Sequence, residues 1–174
     1  TFRLNVARYH VHVVLQPPVA LVQIDQSFYN PFARQQEGTF LFNLPPRASV
    51  SRFAMYVSRT DLIEGEVVER KRASNIYESI VRARRDPAIL EQIGDNLFKM
   101  RVFPIFAKDT KRILLDYTVP FVADDGRYRF KLPLMSDLEP IWDFRLSSVI
   151  HSAKALDTVA AAGWPDVSFE RRED

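Results

Sequence analysis

His10 and His12 stand two residues apart, so on an extended strand both imidazoles leave the same face, a spacing at which paired histidines can bind a transition metal. Arg8 and Gln16 share that face, and no cysteine or sequence-adjacent carboxylate completes a ligand set, so a solvated strand face is the plainer reading. His151 is the third and last histidine, distant in sequence from the pair. Asp124-Asp125-Gly126 has the look of a calcium-loop fragment but lacks the alternating carboxylates and closing Glu, and a hairpin turn accounts for it. Asp25-Gln26-Ser27 opens like an Asp-x-Ser-x-Ser metal motif, but Tyr29 stands where the second serine belongs. No metal site, catalytic residue or cofactor is therefore expected.

The densest charge is Arg70, Lys71 and Arg72 with Arg82, Arg84 and Arg85, interspersed with Glu66, Glu69 and Glu78. These six basic residues are the candidate interaction surface, for phosphate or an acidic partner, set against an ordinary solvated helix face with local ion pairs. Trp142 and Trp164 could stack on a sugar, or could simply pack at an edge. A hydrolase built from carboxylates on distant strands would leave no local motif, and it ranks last.

Positioning such side chains is the work of strands. Tyr9, Val11, Val13 and Leu15 alternate with Arg8, His10, His12 and, past Val14, Gln16, the two-residue period of a half-buried strand over residues 8–16. Pro17-Pro18 ends it, and residues 19–28 resume as an adjacent antiparallel partner. Further strands are expected at 39–44, 49–57, 61–68, 97–106, 110–119, 127–132 and 143–151, with Asp125-Gly126 as a hairpin turn. Ala73, Ile76, Tyr77, Ile80 and Val81 recur at helical spacing and predict an amphipathic helix over 73–84. Asp86-Pro87 suits a helix start, so a second short helix is expected through Ile89, Leu90 and Ile93, ending at Gly94. The expected fold is mainly β: a β-sandwich of about 8–10 short antiparallel strands with two helices inserted mid-chain.

The totals agree with one such core. The 174 residues are 47% apolar, with 13 Phe, enough to bury a substantial interior. Net charge is only +2 from 24 basic and 22 acidic residues, which gives no support to nucleic-acid binding. Zero cysteines exclude disulfides, thiolate metal sites and a thiol nucleophile. No apolar run reaches the length of a membrane-crossing helix, so no direct membrane insertion by this chain is expected. Five glycines in all leave no phosphate-cradling loop. Residues 1–168 are read as one domain and the charged residues 169–174 as a linker stub to a downstream domain.

Several separated blocks in one order then resemble the VIT (vault protein inter-alpha-trypsin) domain. They are Gln23, Gln26 to Pro31, Glu37 to Pro45, Gly65 to Glu69, Ala73 with Tyr77, Leu90-Glu91-Gln92 and Asn96 to Ile105. Leu115-Asp116-Tyr117 and Tyr128 to Pro133 extend the series. Ala107-Lys108-Asp109 departs from it, where the family more often has a Pro-Gly type turn. The resemblance implies a β-rich, non-enzymatic interaction module that precedes a von Willebrand factor A domain. The implied partner is an adjacent domain of the same polypeptide or another protein, and the implied setting is a secreted or surface-anchored parent. Within the blocks, Phe28, Phe40, Phe42 and Phe98 are expected in the core, Gly38 and Gly65 at turns, and Glu91-Gln92 tying a helix end to backbone.

Overall fold

The computed structural model describes residues 5–69, 89–133, 141–164, 166–170 and 172. Twelve strands are found among them: β1 (Asn5–Gln16), β2 (Val19–Tyr29), β3 (Gln36–Asn43), β4 (Ser49–Tyr56), β5 (Leu62–Glu64), β6 (Glu66–Glu69), β7 (Ile89–Gln92), β8 (Leu97–Ile105), β9 (Thr110–Pro120), β10 (Ala123–Asp124), β11 (Arg127–Tyr128) and β12 (Asp143–Ile150). They form a six-stranded sheet in the order β12-β1-β2-β9-β4-β5, a four-stranded sheet β3-β8-β7-β6 and the small ribbon β10-β11.

Period-two patterning explains the larger sheet. In β9, Lys111, Ile113, Leu115, Tyr117 and Val119 are buried while their neighbours are half-exposed or exposed, and β1 and β2 alternate in the same way. The inward residues of both large sheets belong to one hydrophobic cluster, which includes Val11, Val22, Phe53 and Leu115 from the first and Phe42, Leu90, Met100 and Val102 from the second. Phe28 of β2 meets Phe40 of β3 across the layers with ring centroids 3.8 Å apart. An aromatic pair of this kind contributes roughly 0.5–1.5 kcal/mol beyond the area it buries.

Turns complete the frame. Pro17-Pro18 closes the β1–β2 hairpin, in which Gln16 pairs with Val19. Asp125 and Gly126 both have positive φ, 48° and 71°, as the two-residue turn between β10 and β11 requires. Pro45 to Ala48 form a turn with the Ala48 amide donating to the Pro45 carbonyl at 3.1 Å, and Arg47 takes φ 67° at its third position.

The mainly β expectation is met, but twelve strands stand among the described residues where about 8–10 antiparallel ones were expected, β1–β12 and β6–β7 pair parallel, and the short second helix is not found. Ile89, Leu90, Glu91 and Gln92 are strand β7, parallel to β6 and antiparallel to β8. A short apolar run such as Ile89-Leu90 fits either period, and ladders available on both sides decide in favour of the strand. Glu91 is accordingly no helix-end tie. It is buried and ion-paired with its cross-strand neighbour Lys99 at 3.1 Å. Gly94 sits in the tight β7–β8 connection, where Ile93 and Gly94 both donate to Leu97. The amphipathic helix expected over 73–84 and its Asp86-Pro87 successor lie outside the described residues. The segment expected as one strand over 61–68 is two, β5 and β6, divided at Gly65. Gly38 is within β3 rather than at a turn, and a Cβ there would lie 2.7 Å from the Phe40 ring.

Candidate interaction surface

The outward residues of the six-stranded sheet face away from the core, and register brings their polar groups into contact. β1 pairs with β12 so that Arg8 lies opposite Asp143, His10 opposite Arg145 and His12 opposite Ser147. His10 Nε2 is 2.8 Å from Asp143 Oδ2, and His12 Nδ1 is 2.8 Å from Ser147 Oγ. Arg145 Nε donates to Asp143 Oδ1 at 3.2 Å. Loss of solvent raises the Asp143 carboxyl, but the hydrogen bonds from His10 and Arg145, with their charges, outweigh it and hold the group below the ordinary carboxylate range.

On the other side of β1, Asp25 of β2 holds Arg112 of β9 in a two-pronged pair, with Nε and Nη2 each 2.7 Å from a carboxylate oxygen. Arg8 Nη1 approaches the same carboxylate at 3.6 Å. Hydrogen bonding to Asp25 raises the Arg112 pKa further above its ordinary value. The Arg112 guanidinium also sits 4.7 Å from the centroid of the Tyr56 ring on β4. A second row crosses the sheet beside this one: Gln23 donates to Asp116 at 3.3 Å, and Arg52 donates to Glu64 at 2.7 Å. That hydrogen bond raises Arg52 and lowers Glu64.

Where β1, β2 and β9 meet the β4–β5 and β8–β9 connections, a cleft of about 260 Å³ opens, lined by Arg8, Ser27, Tyr56, Arg59, Phe106 and Arg112 among others. Its far wall is fixed by Asn30. This buried side chain donates to the carbonyls of Arg34, Ile105 and Phe106 and accepts from the amide of Phe32. Lys108 adds a bond to the Pro31 carbonyl and takes φ 57°, so the connection that departs from a Pro-Gly turn still makes its bend in the left-handed region.

The residues singled out in sequence fare differently. His10 and His12 do share a face, but each engages β12. A carboxylate, Asp143, stands beside His10 although none is near it in sequence. Among the described residues, no group of three or more His, Cys, Asp or Glu is placed to hold a metal ion. Asp25 binds arginines. Trp142 packs on Tyr29 and Trp164 on Phe144, at centroid distances of 5.3 and 5.6 Å, so the two indoles rest on different aromatic partners. Arg70, Lys71, Arg72, Arg82, Arg84 and Arg85 lie outside the described residues. Sequence reasoning placed Arg8 only on a solvated strand face and missed Arg59 and Arg112, and no local pattern groups the three together.

A mainly β, two-sheet scaffold with an ion-paired outer face is the class that this geometry defines. Residues 6–117, well over half of the chain, match the family model of the vault protein inter-alpha-trypsin domain, and the chain belongs to that family. The match covers β1 to most of β9. Strand β12 and the Tyr128–Pro133 block lie beyond it. A comparison with curated proteins finds no match.

Proposed function

We propose that this chain is a non-enzymatic protein-interaction module that packs beside a von Willebrand factor A domain and positions it for adhesion, within a secreted or surface-anchored parent. Family membership over residues 6–117 is the observation that carries the interaction role. The outer face of the large sheet supports it. Side chains held by cross-strand ion pairs lose little further freedom on docking, so a preordered polar face lowers the cost of association.

The test is light scattering coupled to size exclusion on this chain, alone and mixed with a von Willebrand factor A domain of the same parent protein. A stable one-to-one complex is the expected result. Two species that elute independently at micromolar concentration would remove the docking role.

A second reading, carbohydrate binding, is favoured by one observation. Trp142 is 55% exposed while its ring lies against Tyr29, which leaves an aromatic surface in solvent. A glycan array on which the wild-type chain binds nothing would eliminate it.

A further inference from the structure

We infer that the cleft between β1, β9 and the β4–β5 connection receives an acidic side chain of a partner polypeptide, with an apolar neighbour of that side chain seated on Phe106. This inference rests on the interaction-module reading and assigns the residues that would do the recognising.

Charge decides the class of ligand. Arg8, Arg59, Lys111 and Arg112 all line one cleft of about 260 Å³, which is room for one or two side chains rather than a helix or a folded loop. Asp109 is the one carboxylate residue in the lining, and its Oδ1 already accepts the Thr110 amide at 2.8 Å. Asp25, outside the lining, engages Nε and Nη2 of Arg112 and approaches Arg8 at 3.6 Å, which leaves the Nη1 edge of Arg112 to donate. The Nη1–Nη2 end of a guanidinium can pair with a second carboxylate, and Arg112 is preordered for it by the Asp25 pair on its Nε–Nη2 side and the Tyr56 ring on another. Ser27, Ser58 and Thr110 add hydroxyl groups to the lining.

Apolar lining distinguishes a peptide from a bare oxyanion. The Phe106 ring is 55% exposed at the rim, beside Pro104 and Ile105. Asn30 pins the Phe106 carbonyl at 3.0 Å, so the wall is held in place rather than folded over the cleft. An exposed aromatic next to clustered arginines suits a segment in which an acidic residue adjoins an apolar one.

The experiment follows the side-chain Nε–H signals of arginine by NMR while the full chain is titrated with a capped hexapeptide of alternating Asp and Phe. Parallel titrations use the same peptide with Asn for Asp, and inorganic phosphate. Saturable shifts of the Arg8 and Arg112 signals are expected, with affinity at least about tenfold lower for the Asn peptide and falling as salt rises. Arg59→Gln, on the exposed β4–β5 connection, should weaken binding while leaving the amide spectrum of both sheets unchanged. Arg112→Gln should abolish it. Equal binding of the Asn peptide, no shift with any probe, or phosphate saturating the signals that the Asp peptide leaves unmoved would each overturn the assignment. Should the cleft fail while a von Willebrand factor A domain still forms a complex, the interaction role stands and only this surface is lost.

Discussion

The Nε2 atom of His10 lies 2.8 Å from Oδ2 of Asp143, and this contact ties the first strand to the last across 133 residues of chain. Strand β12 is the edge of the large sheet and pairs parallel to β1, so side-chain contacts to β1 supplement a ladder that lacks a second neighbour. Besides Asp143 and Arg145 on β12, His10 has Asp25 opposite it on β2 and Arg8 and His12 on its own strand.

The pH dependence of that junction follows from Asp143. Its carboxyl is held below the ordinary value when folded, so the unfolded chain takes up the proton first as the solution is acidified. The contribution is present above the ordinary carboxylate range and disappears as pH falls through the depressed value. Thermal unfolding from about pH 6 to pH 2 should therefore give a shallower acid slope for Asp143→Asn than for the wild type. Faster amide exchange over residues 144–150 in the variant at neutral pH would accompany it. Parallel acid slopes would remove Asp143 as a contributor.

Gly38 leaves room for the Phe40 ring within its own sheet. A Cβ there would meet Phe40 ring carbons at 2.7 and 2.8 Å and Ile105 Cδ1 at 3.0 Å. Phe40 is itself pressed on Phe28 and Ile105 is buried, so neither can step aside cheaply. Gly38→Ala should cost roughly 1–3 kcal/mol in urea denaturation, as overpacking does elsewhere. A change below about 0.5 kcal/mol would mean that the Phe40 ring has room to rotate.

Most strands were legible because alternation is a local signal. Tyr9 to Leu15 and the run from Lys111 to Val119 each show the period within a few residues, and the observed ends of these strands differ from expectation by a few positions at most. Ile89 and Leu90 were not legible: a pair of buried residues carries no period, and the competing Asp-Pro start signal pointed to a helix. Partnership was less visible still. Residues 143–150 read as a strand, but nothing in them says that they lie beside residues 8–15. For the same reason the cleft escaped notice, since Arg8, Arg59 and Arg112 come from three distant segments that only register assembles.

Arg47 offers a test of turn chemistry. It occupies the third position of the turn after Pro46 with φ 67°, a place where glycine has no steric penalty and an L side chain costs about 1–2 kcal/mol. Glycine returns part of that gain through the greater freedom of the unfolded chain. Arg47→Gly should raise stability by up to about 1 kcal/mol, read from the urea midpoint at unchanged slope. A lower midpoint would show that arginine contacts and the unfolded-chain entropy of glycine together outweigh the backbone strain at this position.

Alkaline titration probes the core from the opposite direction. Burial pushes the Tyr9 hydroxyl up to about 12 and raises that of Tyr117 further, with the nearby Tyr9 adding to the effect on Tyr117. A phenol whose folded pKa is raised favours the native state less and less once pH passes the ordinary tyrosine value, because the unfolded chain ionises first. Stability should therefore be unaffected by these groups at neutral pH and decline above about pH 10. Absorbance at 295 nm should show two hydroxyls, those of Tyr9 and Tyr117, that ionise only as the fold is lost. Tyr9→Phe and Tyr117→Phe should each remove one late-titrating group. Ionisation of these two hydroxyls near pH 10, with the circular dichroism of the sheets intact, would contradict their burial.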